Sequence, residues 1–272
     1  MHRLLSLLVL LGVGCASETD PLEPRETPEP AAPAIPVAPT LETRADSVAW
    51  RIVEASGGLA AWEALPGLRF DFGVERDGQQ QIAARHLWDK RTGRYRVEWP
   101  ADEAGTYVGL FSAWPDSVRV YFDGQRVADP ALETEARRRT INDQYWLLAP
   151  LKLFDPGVTR TAAPDSSDAA TDAIRLSFDD VGMTPGDQYW LFADRETGQL
   201  VRWTFLLQDD ATGTPRSFRW TGYASLQGPA GPVSLATRKE STGGPVAILT
   251  DRLGPIDAPD ASVFTDPQPR LQ

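Results

Sequence analysis

The side chains that most often do chemistry are scarce in this chain. It holds one cysteine, Cys15, and two histidines, His2 and His86. A cysteine nucleophile needs a base beside it, and a histidine metal site needs further soft or imidazole ligands. His2 and Cys15 lie in a leading segment with the layout of a signal peptide, so the mature chain is expected to have one histidine and no free thiol, and neither site is expected. A Ser–His–Asp triad would have to use His86, and no Gly-x-Ser-x-Gly turn is present. His86 stands in AARHLWDK, near the end of a strand pattern, where a lone imidazole is expected to be a surface or hydrogen-bonded structural residue. The stretches GLRFDFG and GPAGP lack the spacing of a phosphate loop. Carboxylate pairs remain. Asp179-Asp180 and Asp209-Asp210, with Asp187 and Asp194 nearby, have the chemistry for acid–base work or calcium binding. Each pair adjoins turn residues, VGMTPGD and ATG, and none shows an EF-hand order of ligands. The same turn chemistry explains Asp155-Pro156-Gly157 and Thr184–Asp187. The expectation is a non-enzymatic protein with no cofactor and no metal.

What the chain has in quantity is aromatic surface: nine Trp, six Tyr and ten Phe, all from Trp50 onward. Such side chains fill a core or line a pocket. Both readings stay open at this level, a solid core and a ligand-sized cavity. One tetrapeptide, Asp-Gln-Tyr-Trp, occurs at 143–146 and again at 187–190. The first copy follows helix formers and precedes Leu147, Leu148 and Ala149. The second precedes LFADRETGQLVRW, a strand–turn–strand pattern. On a helix Tyr145 and Trp146 diverge by about 100°, whereas on a strand Tyr189 and Trp190 take opposite faces. The copies therefore cannot build the same site, and no wider similarity supports a tandem repeat.

These residues must be positioned by elements whose patterns are legible. Period-two alternation places Leu68, Phe70, Phe72 and Val74 on one face and Arg69, Asp71, Gly73 and Glu75 on the other. Similar alternation occurs at 94–99, 118–122, 174–178, 201–208 and 217–223, separated by Gly-containing turns such as WDKRTGRY and ADRETGQL. This predicts an antiparallel meander with one buried face and one wet face lined by Arg and acidic residues. Thr43 with Asp46 three residues on caps a helix carrying Val48, Ile52 and Val53 on one side, stopped by Gly57-Gly58. LAAWEALPG adds a short helical turn. Ala131 to Arg139 is rich in helix formers. Asn142 offers a fresh N-cap and Pro150 a stop, which predicts two short helices or one broken helix.

The N-terminus, MHRLLSLLVLLGVGC, has a short basic start, an apolar run from Leu4 to Leu11, small residues and then Cys15. This is the layout of a signal peptide, over residues 1–14. The run is shorter than the ~20 apolar residues a membrane-spanning helix needs. The quartet Gly12-Val13-Gly14-Cys15 resembles the lipobox of bacterial lipoproteins, with Gly12 where Leu is usual. That resemblance implies lipidation of Cys15, which would account for a lone thiol, and attachment to a membrane through that lipid. Ala16 after the cysteine implies the outer membrane, with the protein facing the periplasm of the cell envelope. Residues 15–41 are rich in Pro, Glu, Thr and Ala and cannot bury enough apolar surface to fold, which suits a tether. Formal charge is −11, and removal of residues 1–14 takes away Arg3 and no acid, giving −12. An acidic surface argues against nucleic acid and anionic headgroups as surface partners.

A helix ending in Gly-Gly, a long meander and a helical insertion before the last strands together resemble the LolA/LolB type of lipoprotein-carrier fold. YWLLAPLKLFDPGV is similar to a stretch in uncharacterised bacterial lipoproteins of that expected fold. The resemblance implies, for residues 42–272, a mainly antiparallel β (α+β) domain. It would be a single curved meander sheet or unclosed β-barrel with a few helices over its concave face. It also implies an apolar concave face suited to a lipid or acyl chain. The residues expected on that face or its lid are Phe70, Phe72, Trp88, Trp99, Tyr145, Trp146, Leu148, Trp190, Phe192, Trp203, Phe205 and Trp220. For the second tetrapeptide the pair turned inward is either Trp190 with Phe192 or Tyr189 with Leu191. Residues 142–149 should pack across the strand that starts near Gln188. The alternatives are a structural or assembly lipoprotein that docks a protein partner over a solid core, and a hydrolase using facing carboxylates.

Overall fold

The computed structural model describes residues 38–101, 104–178, 186–208 and 213–272. Cys15, the signal and tether segments up to residue 37, and the pairs Asp179-Asp180 and Asp209-Asp210 lie outside the described residues.

Two helices lead, α1 (Arg44–Ala55) and α2 (Gly58–Ala64). Six strands follow: β1 (Gly67–Arg76), β2 (Gln79–Asp89), β3 (Arg94–Pro100), β4 (Thr106–Ala113), β5 (Ser117–Phe122) and β6 (Gln125–Val127). Helix α3 (Pro130–Leu148) then crosses to a second run of strands. These are β7 (Val158–Ala162), β8 (Thr171–Phe178), β9 (Gln188–Asp194), β10 (Leu200–Leu206), β11 (Arg216–Gly228), β12 (Gly231–Ser241) and β13 (Val246–Pro255). All thirteen form one antiparallel sheet in the order β6-β5-β4-β3-β2-β1-β13-β12-β11-β10-β9-β8-β7. Two meanders are thus joined where β1 pairs with β13, and the sheet stays open, with β6 and β7 at its edges. The expected mainly β, unclosed meander with covering helices is the fold observed.

Helix α1 has the expected capping box. The Asp46 amide donates to Thr43 Oγ1 at 3.1 Å and the Thr43 amide to Asp46 Oδ2 at 3.0 Å. Gly57 ends it at φ +102°, and a Cβ there would lie 2.2 Å from the Pro232 carbonyl oxygen, so only glycine permits the approach of α1 to β12. Arg44 and Arg51 donate to Asp172 of β8 at 3.1 and 2.6 Å, and Arg160 of β7 donates to Asp46 at 2.9 Å. These pairs fix α1 across the second meander.

Helix α3 corrects one expectation. It runs unbroken for 19 residues, capped by Asp129, whose carboxylate accepts from the Ala131 amide at 2.8 Å. Asn142 is no fresh cap; its Nδ2 donates to Asp143 Oδ1 at 2.9 Å. Burial of Ala136, Leu147 and Leu148 on the sheet, with Glu135 paired to Arg138 and Arg139 on the outer side, carries the helix through the local capping signal. It does end before Pro150, in one 3₁₀ turn at Ala149–Leu151.

The outer face of the sheet corrects another. Arg96 and Glu98 belong to the expected wet face, yet they are 0% and 1% exposed. The segment after β13 folds back over them. Arg96 Nε donates to Glu98 at 2.5 Å, and its Nη1 donates to the carbonyls of Val263 and Asp266 at 2.8 and 2.7 Å. Glu98 in turn accepts from the amides of Arg270 and Leu271 at 2.7 and 3.0 Å. Leu87, Phe264 and Leu271 make a small apolar cluster beside this clamp. A charged pair is therefore the docking point of the C-terminal segment.

Candidate functional site

The concave face lies under the helices and is aromatic over much of its area. On β1 and β2 the inward residues are Leu68, Phe70 and Phe72, opposite Trp88, His86 and Ala84. On β3 they are Tyr95, Val97 and Trp99. On β10 and β11 they are Trp203, Phe205, Phe218 and Trp220, and on β9 Tyr189 and Leu191. Helix α3 spans this face, with Leu132 and Ala136 over the first meander and Tyr145 to Leu148 over the second.

The C-terminal half of α3 meets a continuous run of rings. Trp146 stacks on Trp203 with centroids 4.7 Å apart and meets Phe218 at 5.0 Å and Phe205 at 5.9 Å, both edge-on. Tyr145 meets Trp203 at 5.5 Å, Phe178 at 5.9 Å and Tyr189 at 6.1 Å. Trp203 lies 5.6 Å from Trp220. Tyr145, Trp146, Phe178 and Tyr189 are half-buried, whereas Trp203 and Trp220 are 3% and 2% exposed. The run therefore leads from a partly open end to the interior.

Its polar atoms are poorly matched. Trp203 Nε1, Trp220 Nε1 and the Tyr145 hydroxyl are buried without a hydrogen-bond partner. Each such group costs about 1–3 kcal/mol against its solvated state. Burial pushes the Tyr145 phenol well above the ordinary tyrosine range, so it stays an O–H donor at neutral pH. Next to Trp220, with Nζ 5.1 Å from the ring centroid, is Lys239 of β12, which is 0% exposed. Its Nζ donates to the Ala236 carbonyl at 2.7 Å and to Thr250 Oγ1 at 3.3 Å. Burial alone lowers its pKa to about 7.

A second polar cluster sits between the two halves of the face. His86 Nε2 lies 3.1 Å from Asp143 Oδ2, and His86 Nδ1 lies 3.0 Å from the Tyr95 hydroxyl. Phe70 stacks on the imidazole at 4.4 Å. His86 and Tyr95 are fully buried and Asp143 nearly so. The chain of three ties α3 to β2 and β3 and is closed to solvent. Among the described residues no group of three or more His, Cys, Asp or Glu is arranged to hold a metal ion, and no helix is long and apolar enough to cross a membrane.

Of the residues expected on this face, Tyr145, Trp146, Leu148, Trp203, Phe205 and Trp220 gather under or on the C-terminal half of α3. Phe70 and Phe72 lie inward on β1. Trp88 faces inward among Trp62, Tyr95 and Trp114, and Trp99 stacks on Tyr107 at 5.4 Å in the first meander, apart from the main run. Trp190 and Phe192 are corrected: they lie on the outer face, where Arg175 and Arg202 cover them at 5.8 and 3.6 Å. Tyr189 and Leu191 take the inward places because strand side chains alternate. Lys239, Phe218 and Phe178 are additions. Lys239 shares strand parity with Val233 and Leu235, and that parity was the signal for its inward position.

No protein-family model and no curated protein matches the chain. Solved structures similar to it include a DUF1329 family protein from Desulfovibrio piger, at TM-score 0.45 and 8% identity, over 80% of this chain and 94% of that one. A LolA superfamily protein from Nitrosomonas europaea aligns at TM-score 0.43 and 13% identity, over 80% and 97% of the two chains. A Vibrio parahaemolyticus domain named for outer membrane lipoprotein sorting aligns at 0.41 and 8%, over 80% and 94%.

Proposed function

We propose that this is a non-enzymatic lipoprotein of the cell envelope that binds a hydrophobic ligand, a lipid or acyl chain, on its concave face beneath α3. In this reading residues 1–14 are removed, Cys15 carries the lipid and residues 15–41 tether a domain of residues 42–272 to the outer membrane on its periplasmic side. The observation that carries the binding role is the aromatic run from half-buried Tyr145, Trp146, Phe178 and Tyr189 to buried Trp203 and Trp220. An apolar chain laid along it would gain about 25 cal/mol for each Å² removed from water.

The rival, a structural lipoprotein docking a protein through an apolar patch, needs a larger exposed apolar area than single residues supply. Among the described residues Leu41 is the one large hydrophobic side chain that is exposed. The hydrophobic-ligand reading is tested with an uncharged fluorescent probe, N-phenyl-1-naphthylamine, titrated into the delipidated full chain. Saturable enhancement that weakens in Trp146→Ala supports it, and linear, non-saturating emission rejects it. Membrane release of a Cys15→Ser chain in cell fractionation tests the anchor separately.

A further inference from the structure

We propose that Lys239, with the indole N–H groups of Trp220 and Trp203, receives the acidic headgroup of an amphipathic ligand whose apolar tail lies along the aromatic run under α3. This rests on the hydrophobic-ligand reading and specifies the class of ligand. The argument is one of donors and acceptors. Trp203 Nε1, Trp220 Nε1 and the Tyr145 hydroxyl have no partner. Lys239 carries three N–H donors, of which the contacts to Ala236 and Thr250 occupy two. The four residues are consecutive in space: Tyr145 to Trp203 at 5.5 Å, Trp203 to Trp220 at 5.6 Å, Trp220 to Lys239 Nζ at 5.1 Å.

This is a surplus of donors in a buried, apolar setting, and the group that suits Lys239 and its neighbour Trp220 is an acceptor with several oxygens. A carboxylate, sulfonate or phosphate has that form, and charge-assisted bonds to a lysine are among the stronger ones. An uncharged ligand would leave the ammonium unpaired, and a cationic one would oppose it. Among the described residues the hydrogen-bond partners of Lys239 Nζ are uncharged, the Ala236 carbonyl and Thr250 Oγ1. The acid that α3 brings to this face, Asp143, is engaged by His86. The overall charge of −11 works against acidic ligands at the surface. A preference for an anion must therefore arise from an interior site.

The test compares three probes of equal tail length, decanesulfonate, decanol and decyltrimethylammonium, by displacement of N-phenyl-1-naphthylamine from the delipidated full chain. The expected order is sulfonate first, with a preference over the alcohol of roughly ten- to a hundredfold. Lys239→Met should abolish that preference, and Trp220→Phe, which keeps the ring and removes its N–H, should reduce it several-fold. Methanesulfonate, the head without the tail, should not compete. Equal displacement by sulfonate and alcohol overturns the anion site while leaving the hydrophobic reading intact. Displacement by methanesulfonate as strong as by decanesulfonate overturns the amphiphile in favour of a small-anion site. Failure of all three probes and of the naphthylamine rejects both readings together.

Discussion

Tyr145 of α3 and Tyr189 of β9 face each other with ring centroids 6.1 Å apart and planes at 58°. They are the third residues of the two Asp-Gln-Tyr-Trp copies, so the repeated letters meet in space without forming a repeated site. Asp143 pairs with His86 inside the fold. Asp187 accepts from the Gln208 amide at 2.9 Å and from the Tyr189 hydroxyl at 3.0 Å. Trp146 stacks on Trp203, whereas Trp190 lies under Arg175 on the far side of the sheet. Helical and extended backbones turn one tetrapeptide into two different sets of contacts.

That division predicts unequal costs for two identical substitutions. Trp146→Ala removes a stacked partner from Trp203 and edge contacts to Phe205 and Phe218. It should destabilise by about 2–4 kcal/mol, lowered from a fully buried tryptophan by its partial exposure. Trp190→Ala loses one cation–π contact on the outer face and should cost about 1 kcal/mol. Urea unfolding of the two variants side by side gives the comparison, and equal midpoints would contradict the placement.

The meander and the two leading helices were legible because they rest on local periodicity, and the meeting of residues 142–149 with the strand at Gln188 followed from the lid position expected for that helix. What escaped was set by chain segments distant in sequence. Arg96 and Glu98 read as wet by alternation, and only the return of residues 263–271 buries them. Lys239 sits in an alternating strand whose composition turns polar at TRKES, so parity and composition disagreed and parity won. The choice between Trp190 with Phe192 and Tyr189 with Leu191 depended on strand phase, which a run of four consecutive apolar or aromatic residues does not reveal.

The Arg96–Glu98 clamp should be costly to break on one side. Glu98→Ala leaves a buried guanidinium without its counter-ion and frees the amides of Arg270 and Leu271. A loss of about 3–5 kcal/mol is expected. Hydrogen exchange adds a local signature: protection at residues 270 and 271 should vanish even in conditions where β1 and β13 remain protected. Retention of that protection would show that the C-terminal segment is held by the Leu87–Phe264–Leu271 contacts instead.

The His86–Asp143 contact should act on α3 more than on the sheet. Asp143→Ala removes the acceptor for a fully buried imidazole and should cost about 1–3 kcal/mol. Exchange of the α3 amides should accelerate relative to those of β10 and β11, which keep their pairing. Uniform acceleration across helix and sheet would mean that the contact serves global stability and does not hold the helix in particular.

Lys239 makes a prediction about pH. Its folded pKa, near 7, lies below the unfolded lysine value of about 10.4, so between those limits the unfolded chain binds the extra proton. Stability arising from this residue therefore increases as pH rises from about 7 to about 10, and the penalty of the buried ammonium is complete below pH 7. Other groups titrate over the same range, so the quantity to measure is the difference between the wild-type chain and Lys239→Met. Methionine has similar length, no charge and a thioether suited to contact with Trp220. The variant should be the more stable at pH 6 by up to about 5 kcal/mol, the ceiling set by the pKa difference. That advantage should shrink steadily towards pH 10. A saturating acidic amphiphile narrows that advantage, because the wild-type chain gains a counter-ion that the variant cannot use. A stability difference independent of pH would mean that the folded chain holds this ammonium at an ordinary lysine pKa, and would contradict the perturbation.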